Sequence, residues 1–186
     1  QLPTLSAFEV MWLDYYRLMA DSETGRRPIA PDWPFYVLVE TLGYESEGDR
    51  RLFEDFVQRM FEAGVAEDGV LAASQAQRSG LWKVREGYEV TYHALGPVVS
   101  FDVSVTLDKV DRFVNEAYAA LASRFPGVKG ITLGHLGDNN IHLGISIGAE
   151  TGARTLEIEG VVYDVLLPFG GALTAVAPRS ADDVIP

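Results

Sequence analysis

The sequence predicts an α+β fold, an antiparallel sheet with helices on one face, and three observations predict it. Val99, Phe101, Val103 and Val105 alternate with Ser100, Asp102 and Ser104, the period-two pattern of a strand with one buried face. Between such strands run apolar stripes at helical spacing, as in Val110, Phe113, Val114, Tyr118 and Leu121. Taken in order, residues 97–177 read β-α-β-β-α-β, the split-βαβ or ferredoxin-like unit.

The elements follow along the chain. Ser6-Ala-Phe-Glu9 fits a capping box, and Phe8, Met11, Trp12, Tyr15, Tyr16 and Met19 then recur at helical spacing, so a first helix is expected from Ser6. Gly25, Pro28, Pro31 and Pro34 mark a loop. Phe35–Thr41 is a strand by its β-branched and aromatic content. Leu52, Phe53, Phe56, Val57, Met60 and Phe61 form the stripe of a second helix, which Gly64 stops. A short strand is expected near Gly69–Ala73, then one helix from about Ser74 to Tyr92.

In the second half, a strand covers residues 98–106, and Asp108 is placed to cap the helix that ends near Pro126-Gly127. Two strands at about 129–136 and 141–147 flank a short polar turn. A helix from Thr151 to Pro168 ends at Gly170-Gly171, and a last strand covers 172–176. Residues 1–96 thus read as a partial ferredoxin-like half, 97–177 as a complete one, and 178–186 as a loose tail.

Composition narrows the function. The 186 residues are 47% hydrophobic and 23% charged, enough apolar material for a real core and no sign of disorder. Fifteen basic against 27 acidic residues leave a net charge of −12, a field that repels nucleic acid and anionic lipid. No apolar run is long enough to span a bilayer and no signal-peptide pattern is present, and a cytoplasmic location is expected. With no cysteine, thiolate metal sites, disulfides and cysteine nucleophiles are excluded. The chain begins at Gln1 without an initiator methionine, as expected of a piece of something longer.

One motif stands out: Gly134-His135-Leu136-Gly137-Asp138-Asn139-Asn140-Ile141-His142. With Asp138-Asn139 at the centre of a tight hairpin turn, His135 lies opposite His142, with Cβ atoms about 4.5–5.5 Å apart on one sheet face. Two imidazoles so placed can share a metal ion. The alternative is a polar cross-strand contact. Ile141, Leu143, Ile145 and Ile147 point to the other face, toward the helices, so the histidines are expected on the face that helices leave open. Asp102, on the neighbouring strand, is a candidate third ligand or a solvated carboxylate. His93, at a helix end, reads as a cap.

A second segment is Leu81-Trp82-Lys83-Val84-Arg85-Glu86. The planar fork of Arg85 can bind a substrate carboxylate through two parallel hydrogen bonds, or it can belong to a solvated helix face. No dinucleotide fingerprint, P-loop, nucleophile elbow or His-Glu-x-x-His is present.

Together these segments resemble the FAD-linked oxidase C-terminal domain family, found in flavoenzymes of the D-lactate, D-2-hydroxyglutarate and glycolate dehydrogenase type. The run at 134–142 is similar to its histidine motif, and Leu-Trp-x-x-Arg-Glu at 81–86 to its substrate-arginine segment. Ala7-Phe-Glu-Val-Met-Trp12 is similar to its opening helix, and Gly170-Gly-Ala-Leu-Thr-Ala175 to the start of its final motif. The resemblance implies a substrate domain that closes over a flavin held by a separate N-terminal FAD-binding domain. It implies that His135 and His142 bind a divalent metal, often zinc, and that Arg85 holds the carboxylate of a 2-hydroxy acid whose hydride passes to FAD.

The sequence also departs from that pattern. Where the family continues Glu-His-Gly, this chain has Val176-Ala177-Pro178, and neither valine nor alanine can ligate a metal or move a proton. A family lysine appears as Ser100, and a family asparagine as Gly144. Two other classes therefore stay open: a non-catalytic binding module, and an oligomerisation domain with structural histidines. A domain parted from its flavin partner is expected to self-associate through its open face.

Overall fold

The computed structural model describes residues 2–23 and 27–179. The expected tail beyond Arg179 lies outside them. The elements are β1 (Leu5–Trp12), α1 (Leu13–Glu23), β2 (Phe35–Thr41), α2 (Ser46–Glu62), α3 (Gln75–Glu86) and α4 (Tyr88–Leu95), followed by β3 (Val98–Ser104), α5 (Val110–Arg124), β4 (Lys129–His135), β5 (Asn140–Ser146), α6 (Thr155–Leu166) and β6 (Ala172–Arg179). The strands form one six-stranded sheet in the order β2-β1-β4-β5-β3-β6, and every neighbouring pair is antiparallel. The stretch β3-α5-β4-β5-α6-β6 is the α+β, ferredoxin-like unit that the alternation in the second half predicts. β1 and β2 extend its sheet from the free edge of β4.

Adjacent residues of a strand point to opposite faces, and the two cores divide accordingly. Phe101, Val103, Ile141, Leu143 and Ile145 pack under Phe113, Leu121, Ile158 and Val162 of α5 and α6, joined by Val10 of β1. Met11, Ile131 and Leu133 turn the other way and pack with Tyr15, Tyr16, Met19 and Val84. α5 and α6 thus cover one face, while α1 and α3 lie against the other at the β1–β4 end. Burying each aliphatic side chain in either core contributes about 1.5–3 kcal/mol.

The helix expected from Ser6 is a strand up to Trp12, with the helix beginning at Leu13. β1 is buried on both faces from Glu9 to Met11, so its apolar residues do not alternate. They run without a break into the α1 stripe of Tyr15, Tyr16 and Met19, which mimics a single helical period. The loop before β2 is pinned by two stacked tyrosines, Tyr16 and Tyr36, with ring centroids 3.6 Å apart. Tyr16 donates to the Ile29 carbonyl at 2.7 Å and Tyr36 to that of Ala30 at 2.7 Å.

Two further expectations are corrected. Residues 69–73 form no strand. The single helix from Ser74 to Tyr92 is two helices that part at Gly87, whose ψ of 54° leaves helical geometry. A Cβ there would meet the Met19 Cε at 1.9 Å, so the glycine lets α1 approach the joint closely. Ser74 caps α3, accepting a hydrogen bond from the Gln77 amide at 3.2 Å. Asp108 lies in a 3-10 turn, Leu107–Lys109, ahead of α5. Among the described residues no helix is long and apolar enough to cross a membrane.

Candidate functional site

Strand pairing brings the site together. β1 sets Glu9 opposite His135 on β4, and β3 sets Asp102 opposite His142 on β5. All four side chains lie on the face away from α5 and α6, because Leu133 of that face is the partner of His142 across the β4–β5 pair.

The hairpin itself is not the two-residue turn expected. His135 pairs with Asn140, and Leu133 with His142. The Leu136 amide donates to the Phe8 carbonyl of β1 at 2.8 Å instead of continuing the hairpin ladder. The remaining turn closes with Asn139 at φ 60°, the left-handed region that asparagine tolerates. The Asp138 carboxylate accepts from the Asn140 amide at 3.1 Å. A slip of one residue would have sent one histidine to the opposite face, but the shift is even and both stay on the same face. They are diagonal neighbours, with ring centroids 5.0 Å apart and planes at 89°.

Each imidazole is oriented by a carboxylate. His142 Nδ1 lies 2.5 Å from Asp102 Oδ1, and His135 Nδ1 lies 2.7 Å from Glu9 Oε2. A carboxylate only accepts, so in each ring the Nδ1–H donates and a neutral ring keeps its lone pair on Nε2. His142 Nε2 is buried and has no hydrogen-bond partner among the described residues. Asp102 is thus not placed as a third ligand. It holds the ring that would be one, as carboxylates behind metal-binding histidines do.

Arg85 arrives from α3. Its Nε donates to Glu9 Oε2 at 2.9 Å, and its Nη2 lies 2.7 Å from the same oxygen. The Arg85 side chain is 2% exposed and that of Glu9 8%. Tyr15 donates to the Arg85 carbonyl at 2.7 Å and ties down the last turn of α3. A single carboxylate oxygen therefore takes both the guanidinium and the His135 ring, and a substrate carboxylate reaching Arg85 would have to share it with Glu9. His93 sits exposed in the last turn of α4.

The face expected to be open is therefore partly closed. His135 is 40% exposed and His142 21%, with Arg85 and Glu9 buried beside them. The sequence reading missed Glu9, which it had assigned to a capping box. In a strand reading, a lone acid between Phe8 and Val10 would have signalled a buried charge in need of a partner.

The sequence matches the family model described as FAD linked oxidases, C-terminal domain, over residues 3–175. The chain belongs to this family. Its relatives include the mitochondrial D-2-hydroxyglutarate dehydrogenase of Arabidopsis thaliana, 34% identical over 173 residues, 92% of this chain and 30% of the relative. A putative mitochondrial D-lactate dehydrogenase of Schizosaccharomyces pombe is 34% identical over 92% of this chain and 34% of its own length. The D-2-hydroxyglutarate dehydrogenase of Stutzerimonas stutzeri is 35% identical over 63% of this chain and 25% of its own. The chain thus spans about 30% of the length of the first of these curated relatives. The resemblance read from the histidine motif holds, and the family ties the domain to FAD. The cytoplasmic location expected from the sequence is overturned: the Arabidopsis, fission-yeast and bovine relatives are named as mitochondrial.

Among the described residues no group of three or more His, Cys, Asp or Glu could hold a metal ion. The two features that bear on a metal are the Nδ1 atoms held by carboxylates and the Nε2 of His142, which has no hydrogen-bond partner among the described residues. Positions 176 and 177, where the resembled family carries glutamate and histidine, lie on β6 opposite Phe101 and Ser100, beside Asp102.

Proposed function

We propose that this chain is the substrate-binding C-terminal domain of an FAD-dependent 2-hydroxyacid dehydrogenase, acting with an N-terminal FAD-binding domain of the same protein. His135 and His142 bind a divalent metal ion, zinc being the one the family resemblance implies, through their Nε2 atoms. Arg85 binds the carboxylate of a D-2-hydroxy acid. The observation that carries the reading is the pair of imidazoles held edge to face by Asp102 and Glu9, on the sheet face where Arg85 is also presented.

The side chains divide the work. Asp102 and Glu9 hold the rings so that both Nε2 lone pairs stay available. Glu9 also holds the guanidinium, offsetting the cost of its burial. Arg85 offers planar donors that select a carboxylate over a neutral group. Bound metal would polarise the substrate hydroxyl, and bound FAD would accept the hydride.

Flavin absorbance tests the reading in the protein carrying both domains. D-2-hydroxyglutarate or D-lactate should bleach the oxidised flavin band in the wild type and fail to do so in Arg85→Ala. A flavin left oxidised by both acids in the wild type rejects the dehydrogenase.

One observation favours a second reading, a non-catalytic binding or oligomerisation module. Val176 and Ala177 supply no ligand or proton carrier on the strand next to Asp102. Such a module would leave the flavin oxidised; as an oligomerisation domain its histidines would be structural, and it would self-associate in sedimentation.

A further inference from the structure

Arg85 sits at the end of a helix whose apolar anchorage is thin. Of the twelve residues of α3 only Val84 and Arg85 are buried, both in its last turn. A helix held at one end by so little apolar surface can swing, and its other end needs a second anchor.

Glu40 of β2 provides one. Its Oε1 accepts from Arg78 Nε and, at 3.1 Å, from Trp82 Nε1. Arg78, Trp82 and Arg85 follow at i, i+4 and i+7, so one stripe of α3 faces the sheet with all three. On the sheet, Glu40 pairs with Ala7, two residues before Glu9 on β1, so both acids lie on one face roughly 8 Å apart. Arg78 and Arg85 are about 10 Å apart along the helix, within reach of both acids. The Arg78 guanidinium holds the Glu40 carboxyl below its usual range, so the anchor stays charged at neutral pH.

We propose that Glu40 is a positioning residue for Arg85. Through Arg78 and Trp82 it fixes the N-terminal part of α3, and with Glu9 at the far end the helix can neither rotate nor slide. Arg85 is thereby delivered to Glu9 in one geometry. The consequence for binding rests on the reading of Arg85 as the carboxylate-binding residue; the positioning itself does not.

The test separates the two. In the 186-residue chain, the Arg85 Nε–H should exchange with solvent slowly by NMR, and Glu40→Ala should speed that exchange about tenfold while the amides of Val103 and Ile145 keep their protection. Glu40→Gln, which keeps an acceptor for Trp82, should fall between. Unchanged Arg85 exchange in both variants overturns the positioning role, as does an equal loss of protection at Val103 and Ile145 in Glu40→Gln. In the two-domain protein, Glu40→Ala should weaken D-2-hydroxyglutarate binding alone but add nothing in an Arg85→Ala background. An additive effect there also overturns the proposal. If exchange responds as expected but Arg85→Ala binds the acid normally, the positioning stands and the carboxylate reading falls.

Discussion

His135 and His142 meet edge to face at 5.0 Å, although neither is the other's partner across the hairpin. The even register shift keeps them on one face, and separate carboxylates, Glu9 and Asp102, aim the two rings. A metal bound as proposed would depend on those carboxylates nearly as much as on the imidazoles. Calorimetric titration of the chain with zinc should therefore show binding in the micromolar range, about −8 kcal/mol. His135→Ala and His142→Ala should each abolish it, and Asp102→Asn should weaken it about 10–100-fold. Zinc affinity indifferent to all three changes would remove the metal from this site.

The Arg85–Glu9 pair should behave as a buried ion pair. Removing either partner takes a counter-charge from a buried ion, so Glu9→Ala and Arg85→Ala should each cost about 3–5 kcal/mol. Urea unfolding would report this as a fall in midpoint at constant m-value. The double variant Glu9→Leu, Arg85→Met should recover most of the loss. A double variant as unstable as the sum of the singles would mean that the pair is not the source of the cost.

Gly134 precedes His135 at a point where β4 and β5 approach closely. A Cβ there would meet the Asn140 carbonyl oxygen and the Ile141 Cδ1, each at 2.6 Å. The first is backbone and cannot swing aside. Gly134→Ala should thus cost about 1–3 kcal/mol and part the strands beside the histidines. Weakened zinc binding in this variant, with both rings intact, would show that hairpin spacing sets the site. An unchanged melting temperature would contradict the crowding.

Two groups make stability depend on pH at opposite ends. Glu40 has a depressed pKa, from the Arg78 hydrogen bond first, so its contribution is present above the usual 4.5 and lost as pH falls through its lowered value. Glu40→Gln should flatten the acid limb of a stability profile. Burial raises the Tyr118 pKa above 10.0, with the hydroxyl bonded to Thr132 at 3.0 Å. That contribution is full below 10.0 and declines as the unfolded chain ionises first above it. Tyr118→Phe should flatten the alkaline limb, at a cost of about 1 kcal/mol at neutral pH. A wild-type alkaline slope kept in Tyr118→Phe would assign it to another group.

The second half of the fold was legible because its strands bury one face and its helices carry clean stripes. β3, β4, β5, α5 and α6 fall close to the positions that periodicity gives them. β1 was not legible: it is buried on both faces from Glu9 to Met11 and joins α1 without a break, so period two and period 3.6 overlap from Phe8 to Met19. The two histidines and Arg85 could be picked out because their residue types and motif are distinctive. Glu40 could not, since its role shows only through a partner far along the chain, and Glu9 was hidden by the helical period that β1 mimics.

By itself the sequence determined the α+β class, the common face of His135 and His142, and the arginine on α3. These follow from neighbours in the chain, where the pleat and the helical turn repeat at fixed intervals. Tertiary structure alone decided that Glu9 joins Arg85 to His135, that Asp102 meets the His142 ring, and that Glu40 accepts from Arg78 and Trp82 of α3. Those contacts rest on strand order, and the first is helped by the hydrogen bond from Leu136 to Phe8, which ties the end of β4 to β1. Contacts across such sequence distances are selected by the packing of the whole sheet, which no local pattern encodes.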